Sequence, residues 1–147
     1  MLLTLDVGNT SMTVGLFRGS RLVAHGRMPT HHPSQMQFYP RTLKHFLKEK
    51  ASGPEAVTGV ILSSVVPRAS ATLKKILRSL IRGKVWVLGE SVKAPILNRT
   101  RIPSQVGQDR LVNAAAAYTL YGGPAIIVDF GTAVTVDLVS ARREYLG

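Results

Sequence analysis

Apolar and polar positions follow two different periods along this chain, and the change of period outlines its organisation. Residues 1–7 (MLLTLDV) are apolar almost without a break and predict a buried strand; 12–18 (MTVGLFR) and 21–27 (RLVAHGR) predict two more. Gly8-Asn9-Thr10 supplies a tight turn between the first two, and Arg18-Gly19-Ser20-Arg21 a turn between the second and third. The chain therefore opens as a strand meander. Pro29 to Pro33 reads as loop, and Pro40 suits the start of a short helix. Leu43, Phe46 and Leu47 share one face of that helix, which should stop before Gly53-Pro54.

Gly59 to Ser63 predicts a further strand, after which the period lengthens. Over 69–82, Leu73, Ile76, Leu77, Leu80 and Ile81 fall at i, i+3, i+4, i+7 and i+8, while Lys74, Lys75, Arg78 and Arg82 face away. That is an amphipathic helix, with Gly83 placed as its C-cap. Residues 84–88 (KVWVL) read as a short strand with Trp86 in the core. Residues 89–104 read as an irregular connection bounded by Pro95 and Pro103. A helix over 105–121 should end at Gly122-Gly123-Pro124, followed by strands at 125–129 and 133–139. Strands alternating with helices after an opening meander define an α/β protein. Asp6-Val7-Gly8-Asn9-Thr10 recurs as Asp129-Phe130-Gly131-Thr132-Ala133, each copy leading into a second apolar strand. The repeat predicts two related domains, the first over 1–124 and the second beginning at 125.

Composition narrows the class. With 147 residues, 45% apolar and 18% charged, the chain suits a globular core. It has no cysteine, which excludes disulfides, thiolate metal sites and thiol nucleophiles. Asp6 interrupts the first apolar run, no basic segment precedes it, and no stretch approaches the roughly 18 apolar residues of a membrane span. A soluble, cytoplasmic protein is expected, without a membrane partner. Lys and Arg number 19 against 8 acids, a formal +11, and no acid occurs between Asp6 and Glu49 or between Glu55 and Glu90. Such a field attracts anions, including nucleic acid. Many of the cations, however, lie on polar faces of predicted helices, and the sparse aromatics do not interleave with them, so nucleic-acid binding is not expected.

Three constellations carry candidate chemistry. Asp6 stands in an apolar strand, where burying an unpaired carboxylate costs on the order of several kcal/mol. It therefore needs a cation, a hydrated metal or backbone donors. Gly8 admits close approach, and Asn9, Thr10, Ser11 and Thr13 offer short polar groups, a combination able to wrap phosphate oxygens. The competing reading is a strand end with a satisfied Asp and an Asn-containing turn. Gly107-Gln108-Asp109-Arg110 falls near a helix start, where the dipole favours an ionised acid. Either Asp109 accepts a proton from a substrate hydroxyl while Arg110 holds an anionic group, or the two form an ordinary surface pair. Val128 to Ala133 repeats the buried-acid pattern around Asp129. Histidines 25, 31, 32 and 45 show no metal-ligand spacing with nearby acids.

Taken together, LDVGNT, SSVVP at 63–67, VGQDRLVNAAAAY and IIVDFGTAVTVD resemble the type III pantothenate kinases, over the whole chain. The resemblance implies ribonuclease-H-like domains of the actin-like ATPase superfamily. It implies ATP-dependent phosphorylation of pantothenate to 4'-phosphopantothenate, the first step of coenzyme A biosynthesis. Asp6, Val7, Gly8, Asn9, Thr10, Ser11, Met12 and Thr13 would form a phosphate loop for ATP, with Asp6 holding Mg²⁺ through water, and Thr132 would touch ATP. Gly107, Gln108, Asp109 and Arg110 would bind pantothenate, Asp109 acting as general base. Asp129 would bind the monovalent cation, potassium or ammonium. Thr100 stands where the family usually carries a substrate-contacting tyrosine. Family chains are longer and are expected to be homodimers, so this chain is expected to be an incomplete, inactive fragment. Two other functions fit the same residues less well. One is a transcription-linked accessory protein of the family binding DNA or another anion. The other is a two-metal nuclease, which needs three or four acids around one site.

Overall fold

The computed structural model of the protein describes residues 1–30, 37–131 and 133–147. His31, His32, Pro33 and Thr132 lie outside the described residues. The chain forms two compact units, Met1–Val92 and Lys93–Gly147.

The first unit is a five-stranded sheet in the order β3-β2-β1-β4-β5. Its strands are β1 (Leu2–Val7), β2 (Ser11–Arg18), β3 (Arg21–Pro29), β4 (Gly59–Ser64) and β5 (Lys84–Val87). The meander β1–β2–β3 is antiparallel, whereas β4 runs parallel to β1 and β5 parallel to β4. Strand periodicity selects the buried face. Leu3 lies in register with Leu16 and Val60, Leu5 with Val14 and Leu62, and Val7 with Met12. All of these are buried. Helices α1 (Tyr39–Ala51) and α2 (Pro67–Leu80) add Tyr39, Leu43, Phe46 and Leu47, and Ala69, Leu73 and Leu77, to the same core. Each fully buried leucine contributes roughly 1.5–3 kcal/mol. Pro40 falls in the first turn of α1, and the Gly53 N–H bonds the Leu47 carbonyl at 3.0 Å where the helix stops.

Two local readings change. Helix α2 begins at Pro67, which needs no N–H in the first turn, and ends at Leu80. Ile81 is extended (φ −114°, ψ 129°), so no left-handed glycine caps the helix. Gly83 has another use: a Cβ there would lie 2.3 Å from the Thr58 carbonyl carbon and oxygen. It is the close approach of two backbone segments that requires glycine. Pro29 closes β3 instead of opening a loop.

The second unit holds α3 (Gln108–Tyr121) over a four-stranded sheet in the order β6-β9-β8-β7. Its strands are β6 (Leu97–Asn98), β7 (Ala125–Phe130), β8 (Val134–Val139) and β9 (Glu144–Tyr145). β6 lies inside the stretch expected to be irregular. A two-residue strand has no periodicity to read, and its backbone groups are satisfied by β9. A short 3₁₀ turn at Pro103–Gln105 precedes α3, which starts later than its pattern indicated. Ala114, Leu111 and Tyr118 of α3 pack with Ile127, Val139 and Tyr145.

The opposite face of the β7–β8 hairpin is apolar and open. Ile126 pairs with Leu138, Val128 with Val136 and Phe130 with Val134, and all six are exposed, Phe130 at 81%. Among the described residues, no helix is long and apolar enough to cross a membrane.

Two predictions follow from these packings. Gly83→Ala should destabilise the first unit by about 1–3 kcal/mol, the usual scale of overpacking, read as a lower thermal midpoint. An unchanged midpoint would show that the Thr58 backbone yields freely. The 147-residue chain should self-associate through the open hairpin face, with Val136→Lys shifting sedimentation towards monomer and leaving the circular dichroism unaltered. A wild-type chain that stays monomeric at every concentration would refute that.

Candidate phosphate turn and substrate carboxylates

In the first unit, Asp6 occupies the sheet face away from the helices, in register with Thr13 on β2 and Ser63 on β4; Thr13 in turn faces Arg27 on β3. The same alternation that buries Leu5 and Val7 leaves Asp6 exposed. The expected burial of this acid is therefore wrong, and desolvation does not dictate its partners. The turn after β1 is closed by the Gly8 N–H donating to the Ser11 carbonyl at 3.0 Å. It is braced from the end of β3, where the Thr30 hydroxyl donates to the Gly8 carbonyl at 2.8 Å and the Thr30 N–H to the Thr10 carbonyl at 2.9 Å. Arg27 Nε donates to the Ser11 hydroxyl at 2.9 Å, placing a cation beside the turn. Asn9 and Thr10 are exposed. The Ser63 hydroxyl is buried and has no hydrogen-bond partner among the described residues.

In the second unit the first turn of α3 carries the other candidates. Gly107 is the N-cap in an extended conformation (φ −60°, ψ 143°), and Gln108, Asp109 and Arg110 follow it. The Arg110 backbone N–H donates to Asp109 Oδ1 at 2.9 Å, which fixes the carboxylate over the helix start. The Arg110 side chain turns to Asp137, which sits on β8 with only 1% of its side chain exposed. The two form an ion pair through Nη2 and Oδ1, and the same Nη2 donates to the Val136 carbonyl at 3.3 Å. Tyr145 donates its hydroxyl to Asp137 Oδ1 at 2.6 Å, and its ring lies 5.8 Å from the Arg110 guanidinium. Asp137, chiefly by its hydrogen bond, raises the Arg110 pKa, so the guanidinium stays charged. Burial first, and then the bond to Asp137, pushes the Tyr145 phenol up to about 12.

Asp129 is exposed at the end of β7, on the register of Thr135, as Asp6 is on that of Thr13. The two repeated motifs thus place an acid opposite a threonine in each hairpin, and neither acid is buried. Asn113 Nδ2 donates to Asp129 Oδ2 at 3.1 Å. The Thr100 N–H and hydroxyl both donate to Asn98 Oδ1, at 3.0 and 2.7 Å. Among the described residues, no group of three or more His, Asp or Glu is placed to hold a metal. Single exposed carboxylates such as Asp6 and Asp129 suit hydrated cations that draw their other ligands from water and phosphate.

Sequence reading had passed over Arg27, Asn113, Asp137 and Tyr145. A signal existed for two of them: Asn113 lies one helical turn beyond Asp109, and Asp137 is a charge inside an apolar strand.

A solved structure, the ROK hexokinase from Thermus thermophilus, superposes with a TM-score of 0.51 at 15% identity, over 98% of this chain and 47% of the hexokinase. The fold is α/β, of the actin-like ATPase type found in sugar kinases. The sequence profile of type III pantothenate kinase matches residues 2–147. The chain belongs to the type III pantothenate kinase family. The type III pantothenate kinase of Moorella thermoacetica is 40% identical over 147 residues, 100% of this chain and 58% of its own length. That of Brevibacillus brevis is 37% identical over the same 147 residues, again 58% of its length. The chain thus spans rather more than half the length of the curated relatives it matches.

The Tyr145 environment yields a pH prediction. Its folded pKa lies above the ordinary value near 10, so the neutral phenol is the form the fold favours. Its contribution is complete below about pH 10 and is lost as pH rises through about 12. An ultraviolet titration should show a phenol ionising near pH 12, and Tyr145→Phe should diminish that late step. An undiminished step in the variant would assign it elsewhere.

Proposed function

We propose that the protein containing this chain transfers the γ-phosphoryl group of ATP to the primary hydroxyl of pantothenate, the first step of coenzyme A biosynthesis. The observation that carries this reading is the match of residues 2–147 to the family, with the Asp109 carboxylate held at the start of α3. Asp109 takes the proton of the hydroxyl as its oxygen bonds to phosphorus, and ADP leaves with the electron pair. Such a transfer depends mainly on positioning and charge neutralisation, with one carboxylate to orient the nucleophile. Gly107, Gln108 and Arg110 bind pantothenate beside Asp109, Arg110 supplying a permanent positive charge for an anionic group. Thr100 stands at the position of the family's tyrosine, and its hydroxyl is already donated to Asn98.

The turn from Asp6 to Thr13 binds the ATP phosphates through backbone N–H and hydroxyl groups, and Thr132 contacts ATP from the second repeat. Mg²⁺ is held by Asp6 through water, and a monovalent cation, potassium or ammonium, by Asp129, whose carboxylate Asn113 orients. These ions neutralise phosphate charge when bound. We further infer two domains, 1–124 and from 125 onward, in a cytoplasmic homodimer. The units of this chain divide by compactness instead, because α3 packs on the hairpin that follows it. As the chain spans 58% of the Moorella relative, turnover is proposed to need residues beyond this sequence.

In a protein of the relatives' length, Asp109→Asn should lower kcat by about a hundredfold or more with little change in the KM for ATP. Wild-type turnover by that variant would remove Asp109 from the role of base. The 147-residue chain by itself should give no turnover in a coupled kinase assay, and measurable turnover would show that the nucleotide site is complete within it.

A further inference from the structure

The second unit contains a buried charge that the proposed chemistry does not use. Asp137 has 1% of its side chain exposed and lies on a strand whose role in packing an alanine, valine or leucine would serve better. A carboxylate in that position persists only if cations and donors compensate it. Here the compensation comes from one cation and one hydroxyl, and the cation is Arg110. We propose that Asp137 and Tyr145 are positioning residues for Arg110, presenting its guanidinium in one orientation to the anionic end of the substrate bound beside Asp109. The inference rests on the functional reading above and adds two residues to its site.

Three elements converge to make this arrangement. Arg110 comes from the first turn of α3, Asp137 from the middle of β8 and Tyr145 from β9. Asp137 and the Val136 carbonyl both engage Nη2, fixing one corner of the guanidinium. The Tyr145 ring, wholly buried, lies 5.8 Å from the guanidinium carbon, within cation–π range. Its hydroxyl bonds Asp137 Oδ1, so the carboxylate cannot rotate away without losing that donor. The pinned Arg110 side chain nevertheless remains 35% exposed. It is immobilised without being withdrawn from solvent, which is what a preorganised anion contact requires. A purely structural ion pair would gain nothing from that exposure.

The network is also under-bonded. Arg110 Nε and Asp137 Oδ2 are buried and without hydrogen-bond partners among the described residues. One is a donor and the other an acceptor, and they sit on the two partners of one ion pair. Pairing them would make the contact bidentate, the stronger geometry for arginine and carboxylate.

The test compares wild type, Tyr145→Phe, Asp137→Asn and Arg110→Lys in a protein of the relatives' length, with substrate kinetics and side-chain nitrogen NMR of Arg110. Tyr145→Phe removes only a hydroxyl and should fold, so it carries the test if Asp137→Asn does not. Expected is a rise of about tenfold in the KM for pantothenate in Tyr145→Phe, with the KM for ATP and kcat within about threefold of wild type. Asp137→Asn should raise the same KM further, and Arg110→Lys should not rescue it, because an ammonium lacks the fork. The Arg110 Nη2 hydrogens, which bond Asp137 and the Val136 carbonyl, should exchange slowly in wild type and faster in Tyr145→Phe. An unchanged KM for pantothenate in a folded Tyr145→Phe would overturn the proposal, as would equal losses for both substrates. If the wild-type protein does not phosphorylate pantothenate, the functional reading fails instead. The exchange measurement then still decides whether Tyr145 and Asp137 immobilise Arg110, and equal exchange in wild type and Tyr145→Phe would reject it.

Discussion

The structure of the first unit depends on the pairing of β1, which is antiparallel to β2 on one side and parallel to β4 on the other. With partners on both edges, every β1 side chain has a fixed neighbour in two directions, and a period of two assigns each residue to one face. Leu3, Leu5 and Val7 therefore enter the core as a set, while Leu2, Thr4 and Asp6 take the other face. A slip of one residue would exchange the sets, putting the carboxylate into the core and three apolar side chains outside. The free energy of burying those leucines is thus also what holds Asp6 at its place beside the turn.

Much of this unit is legible in the sequence because its elements are long and strongly periodic. The meander, α1, β4 and α2 all follow from apolar spacing and from proline and glycine at the boundaries. The failures have physical causes. Gly83 looks like a cap, yet its use is a tertiary approach to Thr58, which local pattern does not encode. β6 and β9 are two residues each and exist through hydrogen bonds to neighbouring strands.

The second unit is harder to read, since its pattern and its burial disagree. In β8 the apolar residues Val134, Val136 and Leu138 point outward, while Thr135, Asp137 and Val139 lie on the helix side. The apolar pattern identified the strand, yet its apolar set lies on the open face and not in the interior. Asp6 and Asp129 were expected to be buried because apolar residues surround them in sequence; alternation puts Asp6 on the face away from the core, whereas Asp129 shares the helix-side register of Thr135 and is exposed near the end of β7. The buried acid is Asp137, in a strand where the apolar set does not mark the interior. Of the candidate site, the Gly107–Arg110 turn was visible as a helix start, whereas the destination of the Arg110 side chain was not, because it depends on strands 26 and more residues away.

The contrast between Asp6 and Asp137 bears on how freely this sequence can vary. A substitution at exposed Asp6 leaves the sheet's apolar contacts in place, so the packing of the core does not constrain the choice there. Asp137 has no such latitude. Replacing it strands a buried guanidinium edge and a phenol hydroxyl, a loss on the order of 3–5 kcal/mol for a broken buried pair. That is a large share of the stability of a domain this size. Change at Asp137 is thus accessible only through coordinated replacement of Arg110 and Tyr145. Drift at Asp137 should therefore be coupled to change at Arg110, while the residues flanking the first turn diverge one at a time.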